Sequence, residues 1–409
     1  GYWKPGGAWQ LLFGAGARET TLTTFAGPYA TTIAAPAAGG RSMVADWDAD
    51  GRADLLQWGS TGQLSQCRST GRSLEACQSA GIAPGAVPSS PMTFDANGDG
   101  FADLAYVASG VQMNLHQSVP PDLLTSVTDG LGARSEFAYA PLTDPTVHRT
   151  SGTVVYPVRH YVRPGRVVSR ATRAGPDGLQ PEAYFYEGGK LHAQGRGFLG
   201  FARRVVSATN GNPVRVEDYL QDPAAYESIG APSVLTLQNR NGARLARTTY
   251  TWTRQTNGSG YEGRAIALPA AIKLERFDPD GTLVSSTVTS STFDSYGTAT
   301  QRQTITTEHA KGLNPGAQHA ETVTLWNVVN DTVNWCFGRP ATTLVSRQHS
   351  LPGGAVVNRN VGHTWDYARC RPTQQVVDPT GPTADRVTTD LVYDAYGNVS
   401  SRKVTPAGQ

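Results

Sequence analysis

The chain is 409 residues long, past the size at which a single core usually keeps growing, so two domains or one extended sheet structure are expected. Its 45 Gly and 26 Pro require frequent turns, while 17% charged and 39% hydrophobic residues exclude a disordered chain and a Glu/Lys coiled coil. A net charge of +2 gives no field that would recruit nucleic acid or an anionic membrane, and no apolar run approaches the roughly 18 residues that a membrane span needs. The chain opens on Gly1 without a basic and then apolar leader, and it is expected to be a piece of a longer product with any secretion signal upstream.

The first strong signal is Asp46-Trp-Asp-Ala-Asp-Gly-Arg-Ala-Asp54, repeated as Asp95-Ala-Asn-Gly-Asp-Gly-Phe-Ala-Asp103. Oxygen-bearing side chains at the first, third, fifth and ninth positions, with Gly at the sixth, are what a tight loop needs to wrap a cation the size of calcium. The expected ligands are Asp46, Asp48, Asp50 and Asp54 in the first loop and Asp95, Asn97, Asp99 and Asp103 in the second, with the carbonyls of Arg52 and Phe101 contributing. The alternative is that these side chains only cap turns by accepting hydrogen bonds from backbone amides. Position twelve holds Gln57 or Tyr106 in place of a bidentate Glu, which excludes an EF-hand. Each loop runs into an apolar strand, Asp54-Leu-Leu-Gln-Trp58 or Asp103-Leu-Ala-Tyr-Val107, and the two repeats resemble the FG-GAP or VCBS repeats of integrin-like β-propellers. That likeness implies a propeller segment over residues 1–118, with structural calcium.

Cys67 and Cys77 flank a polar segment that reads as a hairpin loop, consistent with a cross-strand disulfide or with two separate buried thiols. Ser118-Val-Pro-Pro-Asp122 marks a change in composition, from small Ala- and Gly-rich segments to longer polar and aromatic strands, and the second domain is expected over residues 119–409. Strand patterns then dominate, among them Val234–Gln238, Arg247–Thr253, Thr282–Thr289 and Val387–Tyr393, each followed within a few residues by Gly, Asn or Asp. No capped apolar stripe at helical spacing is sustained over three turns. The fold class is therefore all-β with short antiparallel strands.

Three features of this second part resemble the Rhs/YD-repeat toxin family. Tyr393-Asp-Ala-Tyr-Gly-Asn398 matches its YD turn, with a degenerate copy at Phe293-Asp-Ser-Tyr-Gly-Thr298 and a poorer one at Trp365-Asp-Tyr367. Ala183–Val205, with its Gly-Arg-Gly-Phe-Leu-Gly-Phe run, is similar to the Rhs-shell segment of SpvB-like proteins and of the B components of Tc toxins. Leu123–Gly132 resembles the passage from propeller to shell. The resemblance implies a spiral antiparallel β-sheet that closes into a shell around a toxic C-terminal polypeptide of the same precursor. It also implies a secreted bacterial product with a translocation or secretion component as partner.

Gly195, Gly197 and Gly200 also satisfy a dinucleotide G-x-G-x-x-G, but Phe201–Thr209 reads as a strand, so packing of Phe198 and Phe201 over turn glycines is expected in place of a cofactor site. The eight histidines are scattered, and there is no H-E-x-x-H, G-x-S-x-G or Walker loop. Glu217 and Asp218 are expected on a solvated edge facing opposite ways, and Cys336 as a buried structural residue. A non-catalytic shell fragment is thus the leading expectation, and a secreted calcium-dependent propeller adhesin for a glycan or protein receptor is the alternative.

Overall fold

The computed structural model describes residues 2–3, 8–14, 25–34, 40–71, 73–82, 87–107, 110–117, 123–163, 165–175, 178–208, 213–256, 265–381 and 386–407. Nearly all of its regular structure is antiparallel strand. The one helical element described is the 3-10 turn Tyr226–Ser228, and no helix among the described residues is long and apolar enough to cross a membrane. The all-β expectation therefore holds, but the strands are not all short as expected: Gln318–Asp331 and Cys336–His349 each run to 14 residues. The chain divides into two compact units, residues 1–148 with 162–176, and residues 149–161 with 177–409.

In the first unit, each acidic loop joins the first two strands of a meander. One meander orders Arg41–Ala45, Asp54–Trp58, Leu64–Cys67 and Gln78–Ser79; the other orders Ser89–Phe94, Asp103–Val107 and Val111–Asn114. Asp54–Trp58 and Asp103–Val107 are interior strands of their sheets, and both are buried along most of their length. This is why they read as apolar runs and not as alternating ones. Trp47, Leu56, Trp58 and Leu64 from the first repeat pack with Leu104 and Tyr106 from the second, so the two repeats share one core. Cys67 is fully buried and bonded to Cys77, which selects the disulfide over separate thiols.

The sequence placed a division between residues 118 and 119; residues 118–122 lie outside the described ones. The first unit continues past that point because Arg134–Pro141 pairs on one side with Ser126–Thr128 and on the other with Arg166–Gly175.

The second unit is a succession in which each long strand pairs with the next in the chain. It runs from Gly178–Glu187 through Arg203–Ala208, Val214–Tyr219, Pro232–Gln238, Arg244–Thr256 and Ala265–Phe277. It continues through Leu283–Phe293, Ala299–Glu308, Gln318–Asp331, Cys336–His349, Val357–Asp366, Arg371–Val377 and Val387–Tyr393 to Val399–Pro406. Most of its side chains are only half-buried. Ladders of hydroxyls, such as Thr287 to Thr306 at 2.9 Å and Thr289 to Thr304 at 3.2 Å, tie neighbouring strands.

One turn recurs between these strands. In Asn239–Ala243, Asp278–Thr282, Asp294–Thr298 and Asp394–Asn398 the first residue is Asn or Asp and the fourth is Gly. The Gly amide donates to the carbonyl of the first residue, and the amide of the first donates to the carbonyl of the fifth, all at 2.8–3.2 Å. Gly is needed at the fourth position, with φ of +84° at Gly297 and +98° at Gly397. Asp294 Oδ1 and Asp394 Oδ1 each accept two further amides at 2.9 Å, which is the reason for Asp in the YD pattern. Asp129–Ala133, in the first unit, has the same construction.

The aromatic residues at strand ends are pinned as well. Trp365 Nε1 donates to the Pro340 carbonyl at 2.9 Å and Tyr393 OH to that of Pro372 at 2.7 Å, while Arg339 and Arg371 lie over the same two rings. Cys336 is buried as expected, but it is bonded to Cys370, a pairing the sequence did not suggest.

His363 lies on Val357–Asp366, with Nε2 3.0 Å from the Thr343 hydroxyl and Nδ1 buried without a hydrogen-bond partner. Burial pushes its pKa below the ordinary value near 6.5. The fold therefore favours the neutral ring, so its contribution to stability is intact above about pH 6.5 and is lost as pH falls through the lowered folded value. Denaturant unfolding of the parent and His363→Gln between pH 7.5 and pH 5 should show the gap between them narrowing on acidification; a constant gap contradicts this account.

Candidate functional site

The two acidic loops fold on nearly superimposable hydrogen bonds. Asp46 accepts from the amides of Asp50 (3.1 Å) and Gly51 (3.0 Å), and Asp95 from those of Asp99 (3.1 Å) and Gly100 (3.0 Å). The third-position side chains, Asp48 and Asn97, accept from the amides of Asp50 and Asp99 at 3.3 and 3.0 Å. Asp50 and Asp99 accept from the amides of Arg52 and Phe101 at 2.8 and 2.9 Å. Gly51 and Gly100 take φ of +84° and +92°, as the sixth position requires. The repeat seen in the sequence is thus a repeat of backbone geometry.

The ninth positions differ from the other acidic ones. Asp54 and Asp103 are fully buried, and their carboxylates turn inward. Asp54 accepts from the amides of Trp47 (3.3 Å) and Ser69 (2.8 Å) and from Gln66 Nε2 (3.2 Å); Asp103 accepts from the amides of Ala96 and His116, both at 2.7 Å. Burial raises the Asp54 pKa, and the donated hydrogen bonds oppose it. These two residues anchor the loop ends to the following strands.

The carboxylates of Asp46, Asp48 and Asp50 converge, with one oxygen of each within 4.8 Å of the others. In the second loop Asn97 stands at the third position, and its amide nitrogen donates to Asp99 at 3.0 Å. Arginines also enter both loops. Arg68 pairs with Asp48 and Arg52 with Asp50 (2.8 Å), while Arg166 donates to the Asp99 carbonyl at 2.8 Å and covers the Phe101 ring. His116 stacks on Trp47, with ring centroids 4.3 Å apart, and meets the edge of Phe101, so one ring touches both repeats. Burial lowers its pKa despite the nearby charges of Asp99, Asp103 and Asp48. Arg68, His116 and Arg166 were not legible as loop residues, since nothing in the local pattern reports contacts made from outside the nine-residue repeat.

The glycine–aromatic segment lies in the second unit, within a small sheet of Val158–His160, Lys190–His192 and Gly197–Phe198. Gly195, Gly197 and Gly200 all take positive φ, and Arg203–Ala208 follows as a strand, so no helix N-terminus faces these glycines. Tyr161, Phe198, Phe201 and Tyr186 form a chain of ring contacts with centroids 4.7–5.3 Å apart. The expected role of Phe198 needs correction: it is 46% exposed, and Leu199, at 0%, is the side chain sealed inside.

Glu217 and Asp218 also sit elsewhere than on a solvated edge. Their strand is flanked on both sides, and they pair across it with Arg204 and Arg203, each at 2.6 Å. Burial pushes the Glu217 carboxyl up, but hydrogen bonds from Arg204 and Tyr219 outweigh it and hold the group below its usual range. Burial pushes the Tyr186 phenol up to about 12, and burial together with the bond to Glu217 does the same for Tyr219. These charges zip strands together.

Comparison with known proteins matches residues 78–223 to the family model described as the insecticide toxin TcdB middle/N-terminal region. The crystal structure of TcdB2-TccC3-Cdc42 is similar over 93% of this chain, with a TM-score of 0.64 at 12% identity, and the match covers 25% of that chain. That of TcdB2-TccC3 is similar over 89%, with a TM-score of 0.57 at 10% identity, covering 29%. The chain thus spans about a quarter of the length of the solved structures it resembles. No curated protein matches. The likeness to Tc toxin components read from the sequence is borne out by the family match and the shared fold.

Because Leu199 is enclosed and Phe198 is half open, Leu199→Ala should cost about 2–5 kcal/mol and Phe198→Ala clearly less. Chemical denaturation of the two variants checks the order, and a larger loss for Phe198→Ala contradicts it.

Proposed function

We propose that this chain is a structural segment of a secreted bacterial Tc-type toxin, part of a β-shell that encloses a toxic polypeptide until delivery. The observation that carries this reading is the succession of strands in the second unit. Each is paired with its chain neighbour, no helical layer is described against them, and the fold is similar to that in the TcdB2-TccC3-Cdc42 structure. A sheet built this way has two open faces, and curling into a wall gives one of them an interior. The two disulfides suit an oxidising compartment. The role is scaffolding and enclosure, and no residue is assigned to catalysis. The partner is the toxic polypeptide, carried on the same precursor or, by analogy with the TcdB2-TccC3 pair, on a second component; delivery requires a translocation or secretion component. Cryo-electron microscopy of the full-length product, with any co-expressed second component, should place that polypeptide within the wall. A solid sandwich with the toxic segment outside would refute enclosure.

The acidic loops belong to this reading as FG-GAP-type blade elements that bind calcium. The inward turn of Asp54 and Asp103 narrows the ligand set to Asp46, Asp48 and Asp50 with the Arg52 carbonyl, and to Asp95, Asn97 and Asp99 with the Phe101 carbonyl. The first loop, with three convergent carboxylates, is the tighter site, and calcium there displaces Arg68 from Asp48. Calorimetry should find binding that Asp50→Ala abolishes at the first site and Asp99→Ala at the second. Unchanged calcium affinity and melting temperature in the double variant would leave turn capping as the whole role of these side chains.

A further inference from the structure

We propose that His319 and His349 form a site for a borderline divalent transition-metal ion such as zinc, at the open end of the longest hairpin of the second unit. The hairpin consists of Gln318–Asp331 and Cys336–His349, each 14 residues long. Its register places His319 directly opposite His349, with ring centroids 6.2 Å apart. Directly opposed residues have Cβ atoms about 4.5–5.5 Å apart, so modest rotation of the two rings brings a nitrogen of each within about 2.0–2.1 Å of one ion.

Three further features favour a ligand here. A groove of about 610 Å³ opens on the pair, lined by both histidines with Thr304, Thr306, Glu321 and Arg347. Nδ1 of His349 is buried without a hydrogen-bond partner beneath Gly354, where a Cβ would fall 2.6 Å from it, which leaves Nε2 as the nitrogen that can meet an ion. Glu321 lies two residues from His319 on the same strand face; its carboxylate does not converge with the two imidazoles as the side chains stand, and it becomes a third ligand by rotating away from Arg347. It is held 2.6 Å from Arg347, whose side chain is 70% exposed. Two imidazoles and a carboxylate favour zinc or a neighbouring transition ion over calcium. The site is therefore chemically distinct from the acidic loops.

An ion held in this way clips the two strands at the end opposite their connecting turn, where Cys336 is bonded to Cys370. The second strand is then tied at one end to the turn after Val357–Asp366 and at the other to the first strand of the hairpin.

The test is calorimetry of the 409-residue chain with zinc chloride in buffer containing saturating calcium, with melting temperature as a second readout. One zinc per chain should bind and raise the melting temperature, and affinity should fall about tenfold or more in His319→Asn and in His349→Asn. His319 is exposed, so its variant keeps the fold, as circular dichroism will verify, and the test stands even where His349→Asn destabilises the sheet. Absence of one-to-one binding by the parent chain, or unchanged affinity in folded His319→Asn, overturns the proposal.

Discussion

The second unit depends on how tightly its chain can reverse. An Asn or Asp that accepts amides inside the turn, followed three residues later by a Gly at positive φ, closes a five-residue connection whose ends are already in strand register. A register shift accompanies this turn at Leu237/Gln238, Arg276/Phe277, Thr292/Phe293 and Val392/Tyr393. Such irregularities increase local twist. The turn therefore both joins strands and bends them, and a sheet that repeats it has no reason to stay flat.

The two units hold themselves together differently. In the first, two tryptophans, three leucines and a tyrosine are removed from water around the acidic repeats, and hydrophobic burial is the main support. In the second, few side chains are sealed off, and cohesion comes from ladders: paired hydroxyls, Arg204 with Glu217, Arg203 with Asp218, and rings clamped between an arginine and a proline carbonyl. Ion pairs of this type, only partly buried, each contribute modestly, and they act here as many small terms along long strands.

Much of this was legible from residue chemistry. The fold class followed from strand patterns and turn formers, and the acidic repeat is seen in the hydrogen-bond geometry of both loops. The YD hexamers were only the aromatic version of a broader turn. Asn239-Arg-Asn-Gly242 and Asp278-Pro-Asp-Gly281 build the same skeleton without the tyrosine, and their signal was in the sequence all along. What sequence could not reach was long-range pairing. Nothing local distinguishes Asp54 turned inward from Asp50 at the loop mouth, or marks Cys370 as the partner of Cys336. The exposure of Phe198 beside an enclosed Leu199 depends on which face of a two-residue strand meets the sheet.

A sheet in which every long strand adds to its immediate predecessor asks little of folding kinetics. Its contacts join residues close in sequence, so most loops to be closed are short, and no long strand after Arg203–Ala208 waits for a distant partner before it can pair. Growth can then proceed from one end to the other at the pace at which polypeptide leaves a ribosome or a secretion channel. The Cys336–Cys370 bond marks a point on that path: it can close in its native place only after Val357–Asp366 has docked against Cys336–His349. Oxidation would therefore register that this stretch of sheet has been laid down in order.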